Sequence, residues 1–164
     1  MKNILLWCVL LFSILLAACG KAAPTQQSLP SPAPLPTLQQ ISSLTGKWTV
    51  SMRLSGGIAG LSRSIEISSD GAVVAKDERN GKTAKRQLTS DELTQFADLV
   101  KSASFKSQGG GLTGCADCFN YNIEISSNSG KFTTQFDDTN LSDSGMGPVA
   151  EYLRKLMSQM LASG

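Results

Sequence analysis

Residues 47–54 read KWTVSMRL, and polar and apolar side chains alternate along all eight positions. Successive side chains of a β-strand point to opposite faces, so this period of two predicts a strand with one buried face. The apolar set consists of Trp48, Val50, Met52 and Leu54. We expect the folded part of the chain to begin just before this strand, near Ile41.

Turn signals divide the next residues into further strands. A glycine-rich connection at 55–61 leads out of the first strand, and Asp70-Gly71 and Asn80-Gly81 are dipeptides typical of tight hairpin turns. Three more strands are therefore predicted before the first helix, at residues 64–68, 72–76 and 85–88. The cationic side chains around the last of them suit an exposed edge that must not aggregate.

The rest of the chain predicts a helix, two strands and a second helix. Residues 89–92 read TSDE, a capping box that begins the first helix, which should end near Ser104. Alternation predicts strands at 119–125 and 132–136, and Gly147-Pro148 begins the last helix. The fold class is therefore α+β: an antiparallel sheet of strand-strand-helix halves, with the two helices packed on one face.

The N-terminal residues have the layout of a secretory signal. A positive Lys2 precedes an apolar run at 4–16, which is shorter than the ~20 residues that a membrane span needs. The stretch Leu16-Ala17-Ala18-Cys19 resembles the lipobox of bacterial lipoproteins. In that family a diacylglycerol is attached to the cysteine and the preceding peptide is removed, so the resemblance implies a lipoprotein signal peptide at 1–18 and lipid attachment at Cys19. An ordinary signal cleaved after Ala18 is the alternative.

The predicted anchor implies a location and a domain organisation. More than one acyl chain, palmitate included, gives stable membrane attachment, so the membrane is the first expected partner. Five of the six prolines lie within residues 19–40, which predicts a lipidated N-terminus followed by a Pro/Ser-rich tether. Residues 41–164 then form a single α+β domain at the bacterial cell envelope, facing the periplasm or the exterior. Gly20 favours the outer membrane if the source is Gram-negative.

Composition narrows the functional classes. The chain contains no histidine, which removes histidine-based acid–base catalysis, Ser-His-Asp and Cys-His nucleophile systems, and histidine-ligated metal sites. The net charge is only +2 and no basic run occurs, so a nucleic-acid partner is not expected. We predict a protein that is not an enzyme, with no catalytic residues and no cofactor.

Four cysteines occur, and two of them remain for the folded domain. Cys8 would leave with the signal, and Cys19 would carry the lipid. Cys115 and Cys118 would then meet an oxidising compartment, where a local disulfide that fixes the entry to a strand is expected. A thiol-disulfide enzyme is the sharper alternative, but it expects a first cysteine at a helix N-terminus. Half of a zinc site would lack its other ligands.

An acidic cluster near the end of the last strand could suggest a calcium site. It consists of Asp137, Asp138 and Asp143, but the Asp-x-Asp-x-Asp-Gly spacing and the distal glutamate are missing. The sequence instead predicts a solvated loop between strand and helix, and no metal.

Three collinear stretches carry a second family resemblance. They read RLSGGIAGLSR at 53–63, DLVKSASF at 98–105 and DCFNYNI at 117–123. They resemble the first hairpin, the end of the helix and an Asp-x-Phe-x-Tyr strand of the emfourin-type inhibitors of thermolysin-like metalloproteases. The lipobox, the tether, the cysteine pair and the hairpin at Asn80-Gly81 are additions to that pattern. The resemblance implies a shared fold and a metalloprotease as the protein partner.

The glycine-rich connection is the candidate partner-binding loop. Its glycines permit close backbone approach, and no Gly-Lys-Ser/Thr sequence directly follows it that would make it a phosphate site. The candidate residues are Arg53, Gly56, Gly57, Ile58, Ala59, Gly60, Leu61 and Arg63. We expect a membrane-anchored lipoprotein with a non-catalytic protein-binding domain, of emfourin-like inhibitory type. The alternatives are an envelope thiol-disulfide protein and a structural envelope lipoprotein.

Overall fold

A computed structural model describes residue 44, residues 46–103 and residues 111–163. The predicted signal peptide at 1–18, the lipid-attachment residue Cys19, the tether and the predicted domain start at Ile41 lie outside the described residues, as does the predicted helix end at Ser104. Neither described helix combines the length and the apolar character needed to cross a membrane.

The described part of the chain forms six strands and two helices. The strands are β1 (Trp48–Gly56), β2 (Leu61–Ser68), β3 (Ala72–Asp77), β4 (Lys82–Gln87), β5 (Phe119–Ser127) and β6 (Gly130–Asp137). The helices are α1 (Ser90–Ser102), which lies between β4 and β5, and α2 (Gly147–Ser163), which follows β6. Both predicted hairpin turns are present, with positive φ angles of 84° at Gly71 and 71° at Gly81.

The strands form one antiparallel sheet in the order β4-β3-β2-β1-β5-β6. Three successive hairpins build one side of the sheet, and α1 returns the chain so that β5 pairs with the free edge of β1. The α+β prediction is therefore confirmed. The two halves are unequal, because four strands precede α1 and only two lie between α1 and α2.

The core lies on one face of the sheet, and β1 forms its centre. Val50 is paired with Ile67 and Ile125, and Met52 is paired in the same way with Ile65 and Ile123 of the two flanking strands. All of these side chains are buried. The alternation that identified β1 therefore also fixes its register, because a shift by one residue would turn every apolar side chain to solvent.

Aromatic rings attach the helices to this face. Phe96 of α1 is fully buried, with its ring centroid 6.2 Å from that of Trp48 in β1 and 5.1 Å from that of Tyr152 in α2. The opposite face of the sheet carries polar side chains such as Thr49, Ser51 and Arg53, none of which is buried. The sheet thus has one covered and one open face.

The predicted capping box begins α1. The backbone N–H of Glu92 donates to the Thr89 hydroxyl, and the Glu92 carboxylate accepts from the Thr89 backbone N–H at 2.9 Å. That backbone donor, together with the guanidinium of Arg86 in β4, holds the pKa of Glu92 below its usual range. The cap therefore joins the start of α1 to the edge of the sheet.

Candidate functional site

The candidate partner-binding loop is shorter in the structure than the sequence predicts. Only residues 57–60 form a turn, closed by a hydrogen bond from the Gly60 N–H to the Gly57 carbonyl at 2.9 Å. Arg53 and Gly56 belong to β1, and Leu61 belongs to β2, where it is paired with Gly56. The predicted connection at 55–61 is therefore too long, because the strand pairing continues to Gly56 and resumes at Leu61.

The two arginines that flank the candidate loop do not act together. Arg53 lies on the open face, paired with Ser64, and is exposed. Arg63 lies on the covered face and forms an ion pair with the buried Asp77, with 3.0 Å between Nε and Oδ2. Burial raises the pKa of Asp77, but the hydrogen bonds from Arg63 and from the Arg79 backbone N–H lower it by more. The pKa of Asp77 therefore lies below its usual value. Arg63 therefore stabilises the sheet.

Cys115 and Cys118 form a disulfide, as predicted, with their Cα atoms 5.5 Å apart. The four-residue segment that it closes leads directly into β5, which begins at Phe119. A strand therefore follows the pair, where a thioredoxin-like site would place a helix.

The turn at 57–60 lies against this disulfide segment. The Gly57 N–H donates to the Cys118 carbonyl at 3.0 Å. A Cβ atom at Gly56 would lie 2.6 Å from that carbonyl oxygen, and one at Gly57 would lie 2.5 Å from Cε1 of Phe119. Both positions therefore require glycine for space, besides their positive φ angles of 97° and 68°. Both segments are recognisable in the sequence, but no local pattern predicts their contact.

Neighbouring segments complete one surface, which we call the loop end of the sheet: the turns at 57–60 and 78–81 and the segment at 111–118. Arg79 of the second turn donates a hydrogen bond to the Ala59 carbonyl. Among the described residues, the large apolar side chains that are exposed are Ile58, at 91% exposure, and Leu112, at 50%. Both belong to the loop end, so apolar exposure is concentrated there.

Asp137 does not lie in a solvated loop, and that prediction is wrong. Its side chain is only 1% exposed and accepts hydrogen bonds from the Thr139 hydroxyl and from the backbone N–H and hydroxyl of Thr113, the latter two at 2.7 Å. These donors, with the Thr139 hydroxyl first, hold the pKa of Asp137 far below its usual range. Asp137 therefore ties the segment at 111–114 to the end of β6.

Asp138 fixes the start of β5 in a similar way. Its carboxylate accepts from the Phe119 backbone N–H at 2.7 Å and from the Tyr121 hydroxyl at 2.9 Å. Burial, and then the hydrogen bond to this carboxylate, raise the pKa of Tyr121 to about 12. Asp143, the third acidic residue of the predicted cluster, is exposed. The described part of the chain contains no group of three side chains placed to hold a metal ion.

A groove lies beside the loop end, between the first hairpin and α2. It has a volume of about 500 Å³, and its apolar floor consists of Leu54, Leu61 and Phe119. Its rim carries Arg154 and Lys155 of α2, which are exposed. Leu61, predicted to be offered from the loop, thus contributes to this floor.

No protein-family model matches the chain, and no curated protein matches it significantly. The resemblances to lipoproteins and to emfourin-type inhibitors therefore remain predictions from the sequence.

The contacts of the glycines predict that alanine destabilises the protein more at Gly57 than at Gly60. Both Gly57 and Gly60 have a positive φ, but only Gly57 lacks space for a Cβ atom. We expect Gly60→Ala to lower the free energy of unfolding by about 1–2 kcal/mol, the cost of the backbone conformation alone. Gly57→Ala should cost clearly more, since the Phe119 ring must also move. Urea unfolding of both variants measures the difference, and equal losses would contradict the contact.

The lowered pKa of Asp137 predicts a pH-dependent stabilisation. A carboxylate whose pKa is lower in the folded than in the unfolded protein stabilises fully above the unfolded value, about 4, and progressively less below it. Asp137→Asn should therefore be less stable than the wild type at pH 7, and the gap should narrow as the pH falls from 5 to 2. Urea midpoints over this range test the prediction, and a constant gap would contradict it.

Proposed function

We propose that the chain is a lipoprotein of the bacterial cell envelope, held by an acylated Cys19, whose non-catalytic domain binds a protein partner through the loop end of the sheet. We further propose that this partner is a thermolysin-like metalloprotease, which the domain inhibits. The anchor and the partner class come from the two sequence resemblances. The observation that carries the binding surface is the almost complete exposure of Ile58 at the tip of a backbone-locked turn.

An exposed apolar side chain on such a turn suits insertion into a cleft. Binding energy in protein interfaces concentrates in a few apolar or aromatic groups that fill pockets on the partner. Ile58 occupies the tip of a four-residue turn, so a concave site can surround it from several sides. The side chain of Ile58 has no hydrogen-bond donor or acceptor, so its burial by a partner leaves no polar side-chain group unpaired.

The support beneath the turn reduces the entropic cost of binding. The turn is closed by its own hydrogen bond, joined to the disulfide segment through Gly57 and held from the other side by Arg79. A loop that is already ordered loses less conformational freedom when it binds. The same order would slow cleavage of the turn by a protease, because proteolysis requires a locally extended and mobile chain.

The disulfide between Cys115 and Cys118 has a structural role, because it supports the turn that carries Ile58. The carbonyl of Cys118 accepts the hydrogen bond that orients the turn, and the next residue begins β5. A thiol-disulfide enzyme would have to break the bond that supports this arrangement in each cycle. No observation on the described residues favours that alternative.

Inhibition can be measured by titration of a thermolysin-like protease with the purified protein. We expect a linear loss of peptidase activity that ends near one molar equivalent. Ile58→Asp should weaken inhibition at least tenfold without lowering stability, since the side chain is exposed. Asn128→Asp provides the matched control, with the same change of charge in the exposed turn between β5 and β6, at the opposite end of the sheet.

Each outcome of this titration has a separate meaning. Full activity at tenfold molar excess would contradict the proposed partner class. Inhibition that is equally strong in the Ile58 variant would instead contradict the loop end as the contact surface. An equal loss in both variants would point to a non-specific effect of charge.

The proposed anchor predicts a covalent lipid. In cells grown with labelled palmitate, the wild-type protein should carry label and fractionate with membranes, because acyl chains provide the attachment. Cys19→Ala should lose the label and alter fractionation, whereas Cys8→Ala should have no effect after signal removal. An unlabelled wild-type protein would contradict the lipoprotein assignment whatever the result of the protease titration.

A further inference from the structure

The two outer strands of the sheet differ in their protection against pairing with another strand. β4 carries Lys82, Lys85 and Arg86 among its six residues. β6 carries only Lys131, which forms an ion pair with Glu124 of β5 at 2.8 Å, and the buried Asp137. Exposed edges are normally blocked by charge, proline, a bulge or a covering element, because they present unpaired backbone groups. β6 has no proline.

The hairpin between β5 and β6 shows which backbone groups of β6 are unpaired. Ser127 and Gly130 flank a two-residue turn and are paired, so they exchange ladder hydrogen bonds, and even-numbered residues of β6 continue this pattern. Two bonds at the end of β6 agree with this alternation. The N–H of the even-numbered Asp138 donates to the Phe119 carbonyl of β5. The N–H of the odd-numbered Asp137 points away from β5 and donates to the Asn140 side chain. The odd-numbered residues therefore direct their backbone groups outward.

Three consecutive outward residues are available for a further strand. Lys131, Thr133 and Gln135 are exposed, and within the described part of the chain their outward N–H and C=O groups have no hydrogen-bond partner. Together they present three donors and three acceptors in the alternating order that an antiparallel neighbour requires.

We propose that β6 pairs with β6 of a second copy of this chain, antiparallel and about a two-fold axis at Thr133. In this register Thr133 lies opposite its own counterpart, and Lys131 lies opposite Gln135 of the other copy. Six hydrogen bonds then form, and the two sheets join into one of twelve strands. A Thr–Thr pair is favourable across strands, and no like charges face each other. The equivalent pairing of β4, about Lys85, would set this lysine opposite its own counterpart.

Disulfide crosslinking of the full chain tests this register. Hydrogen-bonded antiparallel residues have Cα atoms about 5.5 Å apart, within the range that a disulfide spans. Thr133→Cys, oxidised with copper phenanthroline, should therefore give a covalent dimer on a non-reducing gel. Gln135→Cys is the matched control, because its counterpart would lie four residues further along, about 14 Å away. A mixture of the Lys131→Cys and Gln135→Cys chains should again give the dimer.

A second pair of variants tests the backbone bonds. In the Thr133→Cys chain, Gln135→Pro removes an outward N–H without removing a bond to β5, and should reduce the dimer band at least fivefold. Gln135→Ala keeps the N–H and should leave the band unchanged.

Two results would overturn the proposal. One is a Thr133→Cys chain that reacts with maleimide but gives no dimer, which would leave the edge to an extended segment of another protein. The other is equal crosslinking of the Thr133→Cys and Gln135→Cys chains, which would indicate random collision.

Discussion

The hydrogen bond from the Gly57 N–H to the Cys118 carbonyl determines the shape of the loop end of the sheet. It joins the turn after β1 to the segment before β5, two parts of the chain that are about sixty residues apart. The contact requires two glycines, because a Cβ atom at either Gly56 or Gly57 would overlap the facing chain. It also requires the Cys118 carbonyl to point toward β1, and the disulfide to Cys115 limits the conformations of that short segment.

Asp137 and Asp138, at the end of β6, support the same contact from the other side. Asp138 holds the first residues of β5 through the Phe119 N–H and the Tyr121 hydroxyl, and Asp137 holds the segment before the disulfide through Thr113. The hydrogen bonds to Asp137 favour the charged form of its carboxylate and lower its pKa. The backbone segments of the loop end are therefore joined by hydrogen bonds, and these segments carry its exposed apolar side chains.

Much of the fold could be predicted from local patterns. The alternation at 47–54 gave the central strand, the dipeptides at 70–71 and 80–81 gave two turns, and the capping box gave the start of α1. Each signal depends on residues that lie close together in the sequence, so local physics is sufficient. The fold class followed because consecutive hairpins produce an antiparallel sheet.

The composition of the candidate site could not be predicted in the same way. The sequence identified the glycine-rich turn and the cysteine pair separately, but their contact depends on β5 returning to the free edge of β1, a non-local pairing. The burial of Asp137 could not be predicted for a related reason. Its donors Thr113 and Thr139 form no recognisable spacing in the sequence, so nothing distinguishes this buried carboxylate from a solvated one. The sequence predicts too long a loop because a glycine such as Gly56 is typical of a turn, whereas in the structure Gly56 is still paired with Leu61 of β2.

Amide hydrogen exchange at Gly57, with the disulfide intact and after its reduction, tests the central claim most directly. If the disulfide segment holds the turn, the Gly57 amide should exchange slowly in the oxidised protein, and reduction should accelerate it at least tenfold while the amides of Val50 and Met52 stay protected. Fast exchange at Gly57 in the oxidised protein, or exchange that reduction leaves unchanged, would contradict the account.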